Sequence, residues 1–240
     1  MINLEFKETL LTTKNEELDL RLGGGIPIPN LLIIEGPHGS GKTVLVQQII
    51  YGAIKSNKRV LFITTESGVR EIIIQSRRIS LDIMREFIRG QLQIIPLHIA
   101  GVHWSQEEAN RFIDIIKDYM MFTKDYYDVL AIDSLSVIAY GADRYSVLEF
   151  LSKARIITRE SKLIVLTIHP KMLPEEIMTS LKAICDSYFK LGFAEVGGRL
   201  IKVLRVIKLR GTSGVAESSI AFDIDPAFGI KVVPLALAKA

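Results

Sequence analysis

The chain has 240 residues, 30 basic and 27 acidic, for a net charge of +3, and 48% of it is hydrophobic. That length suits one large domain or a core with small decorations. A mean hydropathy of +0.28 comes without any apolar run near the ~20 residues of a membrane helix. The balanced charge gives no case for a nucleic-acid sleeve. The single cysteine, Cys185, excludes an internal disulfide framework and a thiolate metal cluster.

Residues 1–7 lack the basic and apolar regions of a signal peptide, so a cytoplasmic protein is expected. Residues 1–22 read as a short leader. Gly23-Gly24-Gly25-Ile26-Pro27-Ile28-Pro29-Asn30 then forms a turn-rich hinge into the first core strand, Leu31-Leu32-Ile33-Ile34-Glu35. Next comes Gly36-Pro37-His38-Gly39-Ser40-Gly41-Lys42-Thr43, which fits G-x-x-x-x-G-K-[ST], and residues 43–51 continue as a helix. The glycines let backbone N–H groups turn inward onto phosphate oxygens, and the helix N-terminus adds its positive dipole end. Lys42 would reach the β- and γ-phosphates, and the Thr43 hydroxyl would ligate Mg²⁺. A glycine-rich turn matching by chance is the bland alternative, and the flanking strand and helix argue against it.

Arg59-Val60-Leu61-Phe62-Ile63-Thr64-Thr65 is a β-branched strand, and residues 68–89 read as one helical stretch. Arg70, Arg77, Arg78, Arg85 and Arg89 are interleaved there with Glu71, Asp82 and Glu86. That pattern describes a solvated face, with subunit contact or acidic-partner docking as the sharper alternative. Residues 91–97 form a strand broken at Pro96. Ser105-Gln106-Glu107-Glu108 is a capping box, opening a helix whose apolar face is expected at Phe112, Ile115, Ile116, Tyr119 and Met120. Residues 128–133 and 163–168 are buried strands with a helix over 145–159 between them. Apolar strands alternating with helices specify an α/β fold, a mainly parallel central sheet flanked by helices. Residues 200–209 and 219–234 change character, predicting antiparallel C-terminal edge strands over about 200–235 within a single domain spanning 1–240.

Ligands of open α/β sheets sit beyond the carboxyl ends of the parallel strands. Asp133 closes the strand 129–132, the place of a Walker B carboxylate orienting Mg²⁺ through a water; an N-cap aspartate is its alternative. Glu66, after the strand 59–65, is a candidate catalytic base for the water attacking a γ-phosphate, or a helix N-terminal acid. His169 is a candidate γ-phosphate sensor, or a turn residue before Pro170. Lys208 and Arg210, two apart on one strand, would share a face and reach a neighbouring subunit's triphosphate. Exposed edge-strand cations are their alternative.

Together these residues resemble the RecA superfamily in its KaiC-like branch. The resemblance runs from Asn15-Glu16-Glu17-Leu18-Asp19 through the phosphate loop and Thr64-Thr65-Glu66 to Lys208-Leu209-Arg210-Gly211-Thr212 and Gly229-Ile230-Lys231-Val232-Val233-Pro234. Within that branch Leu22-Gly23-Gly24-Gly25-Ile26-Pro27, Pro37-His38-Gly39, Glu66-Ser67, Leu97-His98 and Trp104-Ser105 are similar to the FlaH (ArlH) family of the archaeal flagellum. That resemblance implies an ATP- and Mg²⁺-binding homo-oligomer, hexameric in the ring form. It would dock on a FlaI-type motor ATPase beneath the FlaJ membrane protein and within a FlaX scaffold, cytoplasmic at the motor base and reaching the membrane only through partners. The resemblance places ATP on Lys42 and Thr43, the metal on Thr43 and Asp133, and an intersubunit contact on Lys208 and Arg210. Active KaiC-like domains tend to carry two adjacent glutamates where this chain has Glu66-Ser67, which fits an ATP holder of slow or absent turnover. An active KaiC-like ATPase or autokinase is one alternative. A RadA-like recombination ATPase is another, although residues 134–145 and 170–195 lack glycine-rich basic loops and nucleic acid is not expected as a partner.

Overall fold

The computed structural model describes residues 9–99, 104–196 and 198–233. In chain order the elements are β1 (Thr9–Leu11), α1 (Glu16–Arg21), β2 (Ile26–Ile28), β3 (Asn30–Glu35), α2 (Lys42–Lys55), β4 (Val60–Thr64), α3 (Val69–Arg78), α4 (Met84–Ile88) and β5 (Leu92–Pro96). They continue with α5 (Gln106–Phe122), β6 (Val129–Asp133), α6 (Leu135–Ile138), α7 (Arg144–Thr158), β7 (Leu163–Ile168) and α8 (Glu175–Ile184). The chain then runs through β8 (Ser187–Val196), β9 (Arg199–Leu209), β10 (Ser219–Asp225) and β11 (Gly229–Val232).

The main sheet has the order β11-β10-β9-β8-β3-β7-β6-β4-β5. From β8 to β5 every pairing is parallel, and β8 with β9, β9 with β10 and β10 with β11 pair antiparallel. Strand β3 shows why this region must lie inside: Leu32 and Ile34 join one core with α2 and α3, while Leu31 and Ile33 join the other with α5, α7 and α8. A strand with helices on both faces has no polar side, hence its unbroken apolar run.

The segment read as a leader is integrated from residue 9 onward. Leu18 and Leu22 are buried, and Asp19 accepts from the Thr13 N–H and hydroxyl at 2.8 Å each. Residues 1–8 of that leader, and 234–235 of the expected edge strands, lie outside the described residues. The stretch expected as one helix over 68–89 is two. Leu81 and Ile83 both enter the core, a two-residue spacing no helix supports, and Ser80 adopts φ 59°. All five arginines of that stretch are exposed, as a solvated face requires.

The Ser105 capping box is present, and Ala109, Ile113, Ile116 and Met120 form the buried stripe of α5. Ile115 is instead 55% exposed, a correction to the expected face. The antiparallel C-terminal strands expected at the sheet edge are β9, β10 and β11, with β11 outermost among the described residues.

Candidate functional site

Strands β3, β7, β6 and β4 are consecutive in the sheet, so the loops leaving their carboxyl ends converge. The loop after β3 is shaped by its glycines. A Cβ at Gly36 would lie 2.5 Å from Ser40 Oγ and 2.9 Å from Leu191 Cβ, and Gly41 adopts φ +94° where a Cβ would meet the Phe222 ring at 3.2 Å. Ser40 closes the turn by donating to the Pro37 carbonyl at 2.8 Å. Helix α2 starts directly at Lys42, with no side chain among the described residues capping its first N–H groups. They are left for an anion.

Lys42 is buried, and its ammonium donates to the carbonyls of Gly36 at 2.8 Å and Pro37 at 3.0 Å, with His169 Nδ1 at 3.3 Å. Burial lowers its pKa against the opposing fields of Asp133 and Glu66. The Thr43 hydroxyl donates to Asp133 Oδ2 at 2.7 Å, and Thr167 on β7 donates to the other oxygen, Oδ1. Burial raises the Asp133 pKa; the two hydroxyls oppose it and Glu66 reinforces it. Thr167 was not anticipated as a site residue. The signal was a hydroxyl in an otherwise apolar strand, legible only once β6 and β7 are known to be neighbours.

Glu66 lies two residues beyond β4, and its Oε1 is 2.8 Å from His169 Nε2. His169 is buried at the end of β7, its N–H donating to Ser136 Oγ at 2.9 Å. Burial lowers the His169 pKa against the raising effect of the Glu66 hydrogen bond, which favours the neutral imidazole. The His38 ring stacks on that of His169, with centroids 4.2 Å apart and planes at 30°. A cavity of about 200 Å³ opens beside these groups, lined by Gly41, Lys42, Thr43, Glu66 and, from β10, Ile224. A larger cavity of about 460 Å³ lies by α1 and β11, between Lys14, Lys231 and the acidic Glu16 and Glu17. Among the described residues it has no glycine loop and no long helix start.

Lys208 and Arg210 do not line this cavity. Lys208 stands near the end of β9, which closes at Leu209, and Arg210 is exposed just beyond it. The Lys208 ammonium donates to the Cys185 carbonyl, and to that of Lys182 at 3.4 Å, at the C-terminal end of α8.

A family model described as "ATPase: KaiC" matches residues 11–236. The chain belongs to this family. The archaeal flagellar ATP-binding protein FlaH of Sulfolobus acidocaldarius is 39% identical, covering 96% of this chain and 100% of that one. FlaH of Methanocaldococcus jannaschii is 31% identical over 90% of this chain and 92% of its own length. Those matches place the chain in the FlaH group of the family. The crystal structure of flagellar accessory protein FlaH from M. jannaschii superposes with a TM-score of 0.85 at 26% identity, covering 95% of this chain and 100% of that one. The RecA-like architecture expected from the sequence is therefore the observed one, with residues 36–43 at the carboxyl end of β3.

Proposed function

We propose that this chain is an ATP-binding subunit of the archaeal flagellum motor that holds Mg-ATP as a conformational signal. Nucleotide would control its self-association and its docking on a FlaI-type motor ATPase, with FlaX- and FlaJ-type proteins around it. The observation that carries the reading is the convergence of Lys42, Thr43 and Asp133 beneath a glycine-shaped loop. The donor set suits the ligand. Thr43 and Asp133 offer hard oxygens of the kind Mg²⁺ takes, and among the described residues Lys42 has only backbone carbonyls and one imidazole to leave for a phosphate. Mg²⁺ would neutralise phosphate charge there. In the chain itself, the loop N–H groups orient the phosphates, Lys42 supplies the counter-charge, and Asp133 positions the Thr43 hydroxyl.

Slow or absent turnover is part of the proposal. The Glu66 carboxylate is engaged by His169, and Ser67 stands where a second carboxylate would assist. An active ATPase or autokinase is the second reading, favoured by Glu66 remaining 36% exposed at the cavity. Two experiments separate them. Steady-state phosphate release above ~1 per second, ordinary for working phosphoryl-transfer enzymes, would establish the second reading. Capture of a FlaI-type ATPase with ATP, ADP or no nucleotide tests the signal. Capture indifferent to nucleotide refutes it, because a ligand moves an equilibrium only by its differential affinity for the two states.

A further inference from the structure

We propose that His38, Glu66 and His169 form a binding site for a borderline transition-metal cation of the Zn²⁺ class at the mouth of the phosphate loop. One ligand atom from each lies within 4.8 Å of the others. The three come from the loops after β3 and β4 and from the end of β7, so this constellation exists only in the folded chain. Tetrahedral zinc bound at about 2.1 Å holds its ligands about 3.4 Å apart. The Glu66–His169 contact, at 2.8 Å, has to open slightly, and His38 has to swing inward. His38 is exposed, so turning its ring inward gives up its stacking on His169 and little else.

Donor chemistry separates this position from that of Mg²⁺. Two imidazoles and one carboxylate with an open side suit Zn²⁺, Co²⁺ or Ni²⁺. The Thr43 and Asp133 oxygens suit Mg²⁺. In the metal-free site His169 Nδ1 accepts from Lys42 and its Nε2–H is donated to Glu66. A metal on Nε2 moves the ring proton to Nδ1, and Lys42 gives up the longest of its three contacts while keeping the Gly36 and Pro37 carbonyls. Metal-ligating histidines normally donate their second N–H to an acceptor, and this one faces an ammonium. The expected affinity is therefore micromolar. Metal binding ties the phosphate loop, through His38, to the ends of β4 and β7. The inference stands on these three residues and does not require the nucleotide reading to be correct.

The test is titration of Co²⁺ into tag-free, nucleotide-free, full-length protein, followed by visible absorption and then by displacement with Zn²⁺. The expected result is one equivalent per chain with the intense bands of four- or five-coordinate cobalt. His38→Ala and Glu66→Gln should each weaken binding roughly tenfold or more, and Asp133→Asn should leave it unchanged. His38→Ala changes an exposed side chain, and a thermal melt by circular dichroism checks that both variants are folded. Absence of binding at millimolar Co²⁺ overturns the proposal, as does binding that survives His38→Ala. Binding lost in Asp133→Asn but kept in His38→Ala places the ion on the oxygen pair and also overturns it.

Discussion

His169 Nε2 lies 2.8 Å from Glu66 Oε1, joining residues 103 positions apart and connecting the end of β7 to the loop after β4. Through its other nitrogen the same ring faces Lys42 at 3.3 Å. One imidazole thus touches both the Lys42 ammonium and the Glu66 carboxylate.

The neutral form of His169 has a pH signature. Burial lowers the His169 pKa below 6.5, so between the folded value and 6.5 the unfolded chain binds more protons than the native one. Its contribution to stability is complete above 6.5 and is lost as pH falls through 6.5 toward the folded value. Asp133, raised by burial, slopes the other way from 3.8 upward. Urea denaturation of wild type and His169→Gln from pH 7.5 to 5 isolates the histidine. The variant should lack the decline below 6.5, and equal slopes would refute the assignment.

Lys42→Met removes a charge that is penalised by burial and favoured by two carbonyls, one imidazole and the fields of Asp133 and Glu66. Folding stability should change by about 1 kcal/mol or less, while Mg-ATP affinity by calorimetry should fall about 30- to 100-fold, the worth of charge-assisted phosphate bonds. Unaltered affinity would contradict the nucleotide site itself.

At Asp133 two hydroxyls donate to one buried carboxylate whose charged form is already disfavoured. Asp133→Asn keeps an acceptor and should cost about 1 kcal/mol or less. Asp133→Ala strands the Thr43 and Thr167 hydroxyls and should cost about 2–3 kcal/mol in chemical denaturation. Both should abolish the dependence of ATP affinity on Mg²⁺.

Gly52→Ala inverts the usual helix rule. Alanine is ordinarily worth about 1 kcal/mol over glycine inside a helix. Here the added Cβ would sit 2.2 Å from the Thr12 carbonyl oxygen and 2.7 Å from Thr13 Cα, both backbone atoms. Thermal melting should show a net loss above about 2 kcal/mol; a neutral or stabilising outcome would mean that residues 12–13 do not pack on α2.

Arg210→Ala is the clean probe of an intersubunit contact, because Arg210 is exposed while Lys208 also secures the end of α8. Light scattering should show weaker ATP-dependent association with monomeric nucleotide affinity nearly unchanged. Parallel loss of both would refute an intersubunit role.

The phosphate loop, the parallel strands and the Ser105 cap were legible in the sequence, because each rests on local rules: turn-forming glycines, runs of β-branched residues, a capping hydroxyl three residues before its glutamate. Where packing chooses among local options, the reading failed. Ile113 and Ile115 are equally apolar, and only contact with α7 turns the first inward. Residues 68–89 have helical character throughout, yet the core needs both Leu81 and Ile83 and breaks the helix there. Strand β8 and helix α8 passed unnoticed because their apolar residues are mixed with exposed charges, Lys190 in the strand and Glu175 and Glu176 in the helix. The pairing of Thr167 with Asp133, and of His169 with Glu66, follows from the β7-β6-β4 strand order alone. Strand order is a global choice, fixed by which helices can cover which face. No window along the chain contains it.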